Sequence, residues 1–466
     1  MFATIILAAG KGTRMKSDVP KVLHPVAGIP MLFHVIKAAQ AAGSERTVVV
    51  YGHGGELVPQ KTAESFDGIA FALQETLNGT AKAVEAAKTA IGTYSGDILI
   101  LCGDTPLVDA ALLANFLEHH RRAKADLSVL SATLNDAGNY GRIVRDWNGK
   151  FRSIVEARDA SPEEKQIREI NSGIYLVKRD VLFQTLSEVQ CTNAQQEYYL
   201  TDIVAHALYH GYTCQAIDGK AFEKTLGINS RAELAQATQI LYRRKAQELM
   251  ENGVTFVDPS STYIEATVQV GRDSILYPNV FLEKGTTIGE RVTIRQGCTL
   301  IGCTIGNDGY LKDGCYLEGA VLGDDVAVGP YAHLRPGSVL ENHVKIGNFV
   351  EIKKSHIGEG SKASHLSYIG DATLGRDVNI GCGTITCNYD GFGKHRTVLE
   401  DGVFVGSDTQ LVAPVTVGKG TIIAAGTTVT RDVPEESLVI SRVEQKVLKG
   451  WAARFREKKL REKDGR

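Results

Sequence analysis

The chain has 466 residues, with 52 Lys and Arg against 54 Asp and Glu and a formal net charge of −2. That length suits roughly three domains, and the near-neutral balance excludes a general nucleic-acid or membrane surface. Eight cysteines show no CxxC pair and no His partner at zinc spacing, which predicts reduced thiols in a cytoplasmic protein. Met1–Gly10 is apolar but too short to span a bilayer, and it lacks signal-peptide order.

A first strand over Thr4–Ala8 runs into Leu7-Ala8-Ala9-Gly10-Lys11-Gly12-Thr13-Arg14-Met15, with Lys21 just beyond. A glycine-rich turn at the carboxyl end of a strand lets backbone N–H groups approach phosphate oxygens. Arg14 and Lys21 add charge for a polyphosphate. The string is neither a Walker A loop nor GxGxxG, which argues against ATPase and dehydrogenase readings. Helices follow over Pro30–Ala42, Gly79–Ile91 and Ala110–Ala123, with strands at Arg46–Tyr51, Ile98–Leu101, Leu127–Thr133 and Ile174–Val177. Apolar strands alternating with helices predict a parallel sheet covered on both faces. The strand Ile98–Leu101 ends at Cys102-Gly103-Asp104, so a carboxylate stands at the sheet edge where ligands bind in open α/β folds. As a bare residue, Asp104 would most simply cap a turn. With Asn229 of Gly227-Ile228-Asn229 it also suits Mg²⁺, which takes one or two protein oxygens plus phosphates and water.

Arg231–Glu251 has helical spacing at Leu234, Ala237, Leu241 and Leu249 and closes at Asn252-Gly253. It reads as a linker helix over 230–252, between a domain over 1–229 and another over 253–466. From Ile264 to Val429 an aliphatic residue returns every sixth position: Ile264, Val270, Leu276, Leu282, Ile288, Ile294 and Leu300, then after a slip Ile305, Leu311 and Leu317. The pattern resumes at Val328, Leu334, Leu340, Ile346 and Ile352, and at Val405, Leu411, Val417, Ile423 and Val429. Neither a helix nor an isolated strand has this period; it predicts short strands wound into a parallel β-helix. The hexad lapses at Asn388–Asp401, which predicts a loop thrown out from one corner, and the basic run Arg454–Arg466 reads as a frayed, solvated tail.

Repeats alone are equally compatible with a passive scaffold. Successive coils nevertheless carry Arg335, Lys353, His365 and Tyr368, followed by Asn379 and Asn388-Tyr389, with Lys394 in the loop. Arg335, Lys353 and Tyr368 can grip a phosphate. An imidazole side chain such as that of His365 is a candidate general base for accepting a proton from an amine.

The string Leu7–Met15 resembles the signature of sugar-nucleotide pyrophosphorylases, which join a nucleoside triphosphate to a sugar 1-phosphate and release pyrophosphate. From Leu7 to about Trp451 the chain resembles the bifunctional N-acetylglucosamine-1-phosphate uridyltransferase/glucosamine-1-phosphate acetyltransferase family, carried also by Gly-Thr-Ile-Thr-Cys-Asn-Tyr-Asp-Gly at 383–391 and by Ser441-Arg442-Val443. The resemblance implies a Rossmann-like nucleotidyltransferase domain, a linker helix and a left-handed β-helix of hexapeptide repeats. It implies acetyl transfer from acetyl-CoA to glucosamine 1-phosphate, then uridylyl transfer from UTP, giving UDP-N-acetylglucosamine for cell-envelope precursors. Leu7, Ala8, Ala9, Gly10, Lys21, Cys102, Gly103 and Asp104 would bind UTP, with Gln74, Gly79 and Thr80 at the uracil and Gly141, Glu156 and Asn171 at the amino sugar. Asp104 and Asn229 would hold Mg²⁺. His365 would be the general base; Arg335, Lys353, Tyr368 and Asn379 would bind the glucosamine phosphate, and Asn388 would position the amino sugar. Cys382 would stabilise the oxyanion through its N–H, with Asn388, Tyr389, Ser407, Ala425 and Arg442 around acetyl-CoA. Many relatives carry Tyr where this chain has Cys102. The resemblance further implies a homotrimer with small-molecule substrates and neither nucleic acid nor membrane as partner. The rival readings are a single-activity pyrophosphorylase with a regulatory β-helix, and a non-catalytic scaffold.

Overall fold

The computed structural model describes every residue except Lys11, His53, Ala221 and Arg466. Lys11 of the glycine-rich string and Arg466 of the tail therefore lie outside the described residues. Contacts divide the chain into Met1–Lys245 and Ala246–Arg466.

The first unit is built on a sheet ordered Cys214–Asp218, Leu127–Thr133, Glu169–Lys178, Asp97–Cys102, Phe2–Leu7, Arg46–Gly52 and Ile69–Gln74. Alternate side chains of its inner strands feed two cores. Ile5, Val48, Ile98 and Ile100 enter one, and Ile6, Val49, Leu99 and Leu101 the other. The expected all-parallel sheet is corrected to a mixed one, because Glu169–Lys178 runs antiparallel to both of its neighbours. It pairs at Ile170 with the antiparallel hairpin formed by Arg142–Arg145 and Phe151–Val155, so no helical crossover forces it parallel. The helix expected over Gly79–Ile91 is two, Thr80–Ala86 and Lys88–Ile91. The helix Arg231–Glu251 has the expected span. Its Ala237, with Leu234, Ile240 and Leu241, packs against Met15, Val26, Met31, Leu107 and Ile228 of the first unit.

The second unit is a three-walled coil of parallel strands, in sheets of 11, 10 and 9. The hexad aliphatics Ile264, Leu276, Leu282, Ile294, Leu300, Leu311, Leu334, Ile352, Leu411 and Ile423 all fill its interior. The slip after Leu300 is one coil of seventeen residues in place of eighteen: Gln269 pairs with Thr287, and Thr287 with Thr304. The lapse at Asn388–Asp401 is an extruded loop, since Ala372 does not meet its ladder partner until Thr397. The tail differs from its expected fraying: Trp451–Asp464 is a helix, solvated on all sides. Ion pairs one turn apart, from Lys458 and Lys459 to Glu462 and from Arg461 to Glu457, favour it.

Candidate active sites

In the first unit the glycine-rich turn leaves Phe2–Leu7 at the carboxyl edge of the sheet. Beside it, the Gly103 N–H donates to the Leu7 carbonyl at 2.9 Å, and a Cβ on Gly103 would stand 3.2 Å from that oxygen. The two strand ends therefore close around a cavity of about 450 Å³ lined by Leu7, Ala8, Ala9, Gly10, Lys21, Gln74, Gly79, Thr80, Cys102 and Asp104. Gly79 is a positive-φ position at +127° whose Cβ would meet the Tyr198 carbonyl at 2.3 Å, so only glycine fits there. Its carbonyl accepts from Gln74 Nε2 at 3.1 Å, and the Thr80 hydroxyl accepts from the Leu200 N–H at 3.0 Å. Burial first, then the Asp104 charge, pushes the Cys102 thiol up to about 12. It is a neutral wall residue.

Lys21 Nζ donates to both Asp104 Oδ2 and Asn229 Oδ1. Asn229 is held there because the Ile228 N–H donates to the Asp104 carbonyl at 2.9 Å and the Asn229 N–H donates to Glu233 at 2.6 Å. Two oxygens already converging on an ammonium form a donor set that fits a hard cation. Among the described residues, no group of three or more His, Cys, Asp or Glu side chains is arranged for a metal, so an ion here would draw its other ligands from phosphate and water.

A second cavity, also of about 450 Å³, is lined by Arg14, Asn139, Glu156, Arg158 and Gln195. Arg14 thus lines the cavity of Glu156 and not the one lined by Lys21. Gly141 stands next to Glu156, where a Cβ would be 3.4 Å from Oε1, and its carbonyl accepts from the Asn171 N–H at 2.9 Å. Asn171 Nδ2 donates to the buried Tyr175 hydroxyl at 2.8 Å. A register break between Asn171 and Tyr175 turns the amide out of the ladder, with Gly173 at φ +80°. Burial and the nearby Asp202 and Asp159 raise the Glu156 carboxyl above its usual range. Glu197, which lines the first cavity, and Arg158 and Gln195 of the second escaped sequence reading because they lie on segments without periodic pattern.

On the β-helix the assigned residues form two groups. His365 stands exposed at the end of one wall, with Nδ1 2.7 Å from Asn348 Oδ1. Cys382, Ser407 and Ala425 continue the same edge on later coils: the Asp408 N–H donates to the Cys382 carbonyl at 2.7 Å and the Gly426 N–H to the Ser407 carbonyl at 2.8 Å. Stacking thus gathers residues spread over several coils along one edge. The stem of Arg442 lies over Gly426, 3.6 Å from where a Cβ would be.

The second group lies on the adjoining wall. Arg335 Nη1 donates to Glu351 at 3.0 Å. Lys353 Nζ donates to Asp371 Oδ2 at 2.9 Å, and Asn388 Nδ2 donates to the same oxygen at 2.6 Å and to the Tyr368 hydroxyl at 3.3 Å. Gly370 has no side chain to intrude, since a Cβ would stand 2.4 Å from that hydroxyl. Asn379 is outside this network, in a ladder between Lys362 and Phe404. Lys394 folds over the Tyr389 ring at 4.2 Å within the extruded loop. Sequence reading missed Asn348, Glu351 and Asp371; the coil length, counted back from His365 and Asn388, was the available signal.

Fold and sites define a nucleotidyltransferase joined to a hexapeptide-repeat transferase. Residues 3–226 match the nucleotidyl transferase family, and 319–354 and 396–431 match the bacterial transferase hexapeptide family. The chain is 52% identical over 98% of its length to the bifunctional protein GlmU of Pelobacter propionicus, covering 99% of that relative. It is 51% identical over 96% of its length to that of Geotalea uraniireducens, covering 98% of it. The chain belongs to the bifunctional GlmU family, and is an enzyme with a uridyltransferase and an acetyltransferase half.

Proposed function

We propose that the β-helix transfers acetyl from acetyl-CoA to the amine of glucosamine 1-phosphate, and that the first unit converts the product and UTP to UDP-N-acetylglucosamine and pyrophosphate. The observation that carries the second step is the convergence of Asp104 and Asn229 on one cation at the mouth of the glycine-rich turn. Leu7–Gly10 and Lys21 bind the triphosphate, Gln74, Gly79 and Thr80 take the uracil, and Gly141, Glu156 and Asn171 take the amino sugar. Mg²⁺, held by Asp104 and Asn229, would neutralise phosphate charge. The sugar phosphate oxygen bonds to the α-phosphorus, the bond to the β-phosphate's bridging oxygen breaks, and pyrophosphate leaves. No protein nucleophile is needed; the residues orient and neutralise.

In the first step Arg335, Lys353 and Tyr368 bind the sugar phosphate and Asn388 its amino-sugar face. The amine nitrogen bonds to the thioester carbonyl carbon and its proton passes to His365; the C–S bond then breaks, and the departing sulfur takes that proton from the imidazolium to leave as CoA thiol. The Cys382 N–H faces the developing oxyanion. Ser407, Ala425 and Arg442 lie along CoA. Assembly as a homotrimer is part of the same reading, supported by the row Phe404, Ile422 and Leu438 on one wall, 49, 50 and 63 % exposed, which a closed ring can cover. A cytoplasmic location rests on the cysteine pattern; among the described residues, no helix is long and apolar enough to cross a membrane.

The test is release of CoA thiol from acetyl-CoA and glucosamine 1-phosphate by the purified chain, followed by pyrophosphate release once UTP and Mg²⁺ are added. Both are expected. Pyrophosphate formation from N-acetylglucosamine 1-phosphate without thiol release would leave a single-activity pyrophosphorylase. His365→Ala should lower thiol release by about 10²–10⁴ and leave uridylyl transfer running.

A further inference from the structure

His365 has one side-chain partner among the described residues, and the fold is built to hold that partner in place. Asn348 and His365 end strands Lys345–Asn348 and Lys362–His365 and are direct ladder partners. The Leu366 N–H donates to the Asn348 carbonyl at 3.0 Å, locking the two corners together. Gly347 makes the close stacking possible, since a Cβ there would stand 1.8 Å from the Ser364 carbonyl oxygen. The side chains meet as Asn348 Oδ1 and His365 Nδ1, 2.7 Å apart.

A carboxamide oxygen has no proton to give, so this bond forms only when Nδ1 carries the hydrogen. The lone pair is then on Nε2, at the far side of the ring. Free imidazole populates both tautomers, and only one of them can take a proton at Nε2. We propose that Asn348 is the positioning residue of acetyl transfer, fixing the tautomer and the plane of the His365 ring. The proposal rests on the reading of His365 as general base. A neutral acceptor suits the role: it selects the tautomer without the attraction by which a carboxylate would favour the imidazolium, a form that can accept no proton.

The experiment compares Asn348→Leu, which keeps volume and loses the acceptor, with Asn348→Ala and with Asn348→Asp, which keeps an acceptor oxygen. In ¹⁵N-histidine-labelled protein, observed above the ordinary imidazole pKa of about 6.5 and assigned by loss of the signal in His365→Ala, the His365 ring should show Nδ1–H. The Leu and Ala variants should show mixed tautomers and a kcat for acetyl transfer lower by about 10–100-fold, the usual loss when an orienting partner is removed, with KM for both substrates within about twofold. Asp should restore the Nδ1–H signature. An unchanged tautomer or an unchanged kcat in a folded Leu or Ala variant overturns the proposal. If His365→Ala itself acetylates normally, it is the general-base reading that has failed. If His365→Ala is crippled while both acceptor-free variants are normal, Asn348 alone has been misassigned.

Discussion

Lys21 and Asp104 lie 83 positions apart in the chain, yet they form an ion pair at the rim of the nucleotide cavity. The same ammonium reaches Asn229 Oδ1 at 3.0 Å. The two oxygens assigned to Mg²⁺ are thus already shared with a cation from the protein itself, and an incoming ion competes with that ammonium. Lys21→Met should therefore tighten Mg²⁺ binding to the nucleotide-free protein, read by calorimetry, while uridylyl transfer falls by more than about 10². Asp104→Ala should abolish both Mg²⁺ binding and uridylyl transfer and spare acetylation. Weaker Mg²⁺ binding in the Lys21 variant would show that the lysine organises the ligands and does not compete for them.

Asp371 joins Lys353 to Asn388 through one carboxylate oxygen. It sits at φ +51°, a conformation Asn tolerates. Asp371→Asn should keep the fold and an acceptor oxygen but remove the carboxylate charge that holds the Lys353 ammonium in place. KM for glucosamine 1-phosphate should rise about tenfold, equivalent to about 1.4 kcal/mol, with a smaller change in kcat. A fall in kcat at constant KM would place Asp371 in the chemical step.

The Glu156 carboxyl is raised by burial and by Asp202 and Asp159. The unfolded chain therefore releases this proton first, and native stability declines as pH climbs from the ordinary glutamate range through the raised one. Glu156→Gln removes that decline. Thermal melts near neutral pH should show the first unit's Tm higher by roughly 2–4 °C, the shift about 1 kcal/mol gives in a domain of this size. At acid pH the difference should vanish. Binding of N-acetylglucosamine 1-phosphate should weaken, setting stability against function at one residue.

The linker helix gives a prediction about fragments. Its Ala237 and neighbours cover Met15, Val26, Met31 and Leu107, and Arg231 Nε donates to the Met15 carbonyl at 3.3 Å. A fragment over 1–245 should retain uridylyl transfer. One ending at Arg231 should melt earlier and aggregate, having uncovered those apolar side chains. Equal melting of the two fragments would show the helix to be dispensable there.

The period-six aliphatics made the second unit legible from sequence, because each hexad residue has one possible destination, the interior of the coil. The first unit was legible where strands were buried on both faces, as at Ile98–Leu101. It was less so at Ile69–Gln74, an edge strand with mixed burial that carries Gln74. The antiparallel course of Glu169–Lys178 escaped because a strand's composition does not encode its direction. Asp371 and Asn348 escaped for another reason: Asn348 acts through its ladder partner His365 and Asp371 through side-chain bonds to Lys353 and Asn388, all about one coil away, which marks no residue type. Arg14 was read with the phosphate loop by adjacency, whereas the turn at Thr13–Met15 carries it to the cavity of Glu156.

The seventeen- and eighteen-residue coils give insertions in this half of the chain a unit of account. A gain or loss of six residues anywhere before Arg335 would advance everything after it by one wall, turning the whole cluster a third of the way round the axis with its internal bonds unbroken. A change of one full coil would leave its facing as it was. Between Asn348 and Asp371 the same six residues would separate Asn348 from His365 or Lys353 from Asp371. The Asn388–Asp401 loop shows the tolerated alternative, in which the extra residues leave the ladder at a corner and rejoin it in register at Thr397. Variation in length should therefore collect at corners or come in whole coils, and direction of facing becomes a heritable trait that point substitution cannot reach.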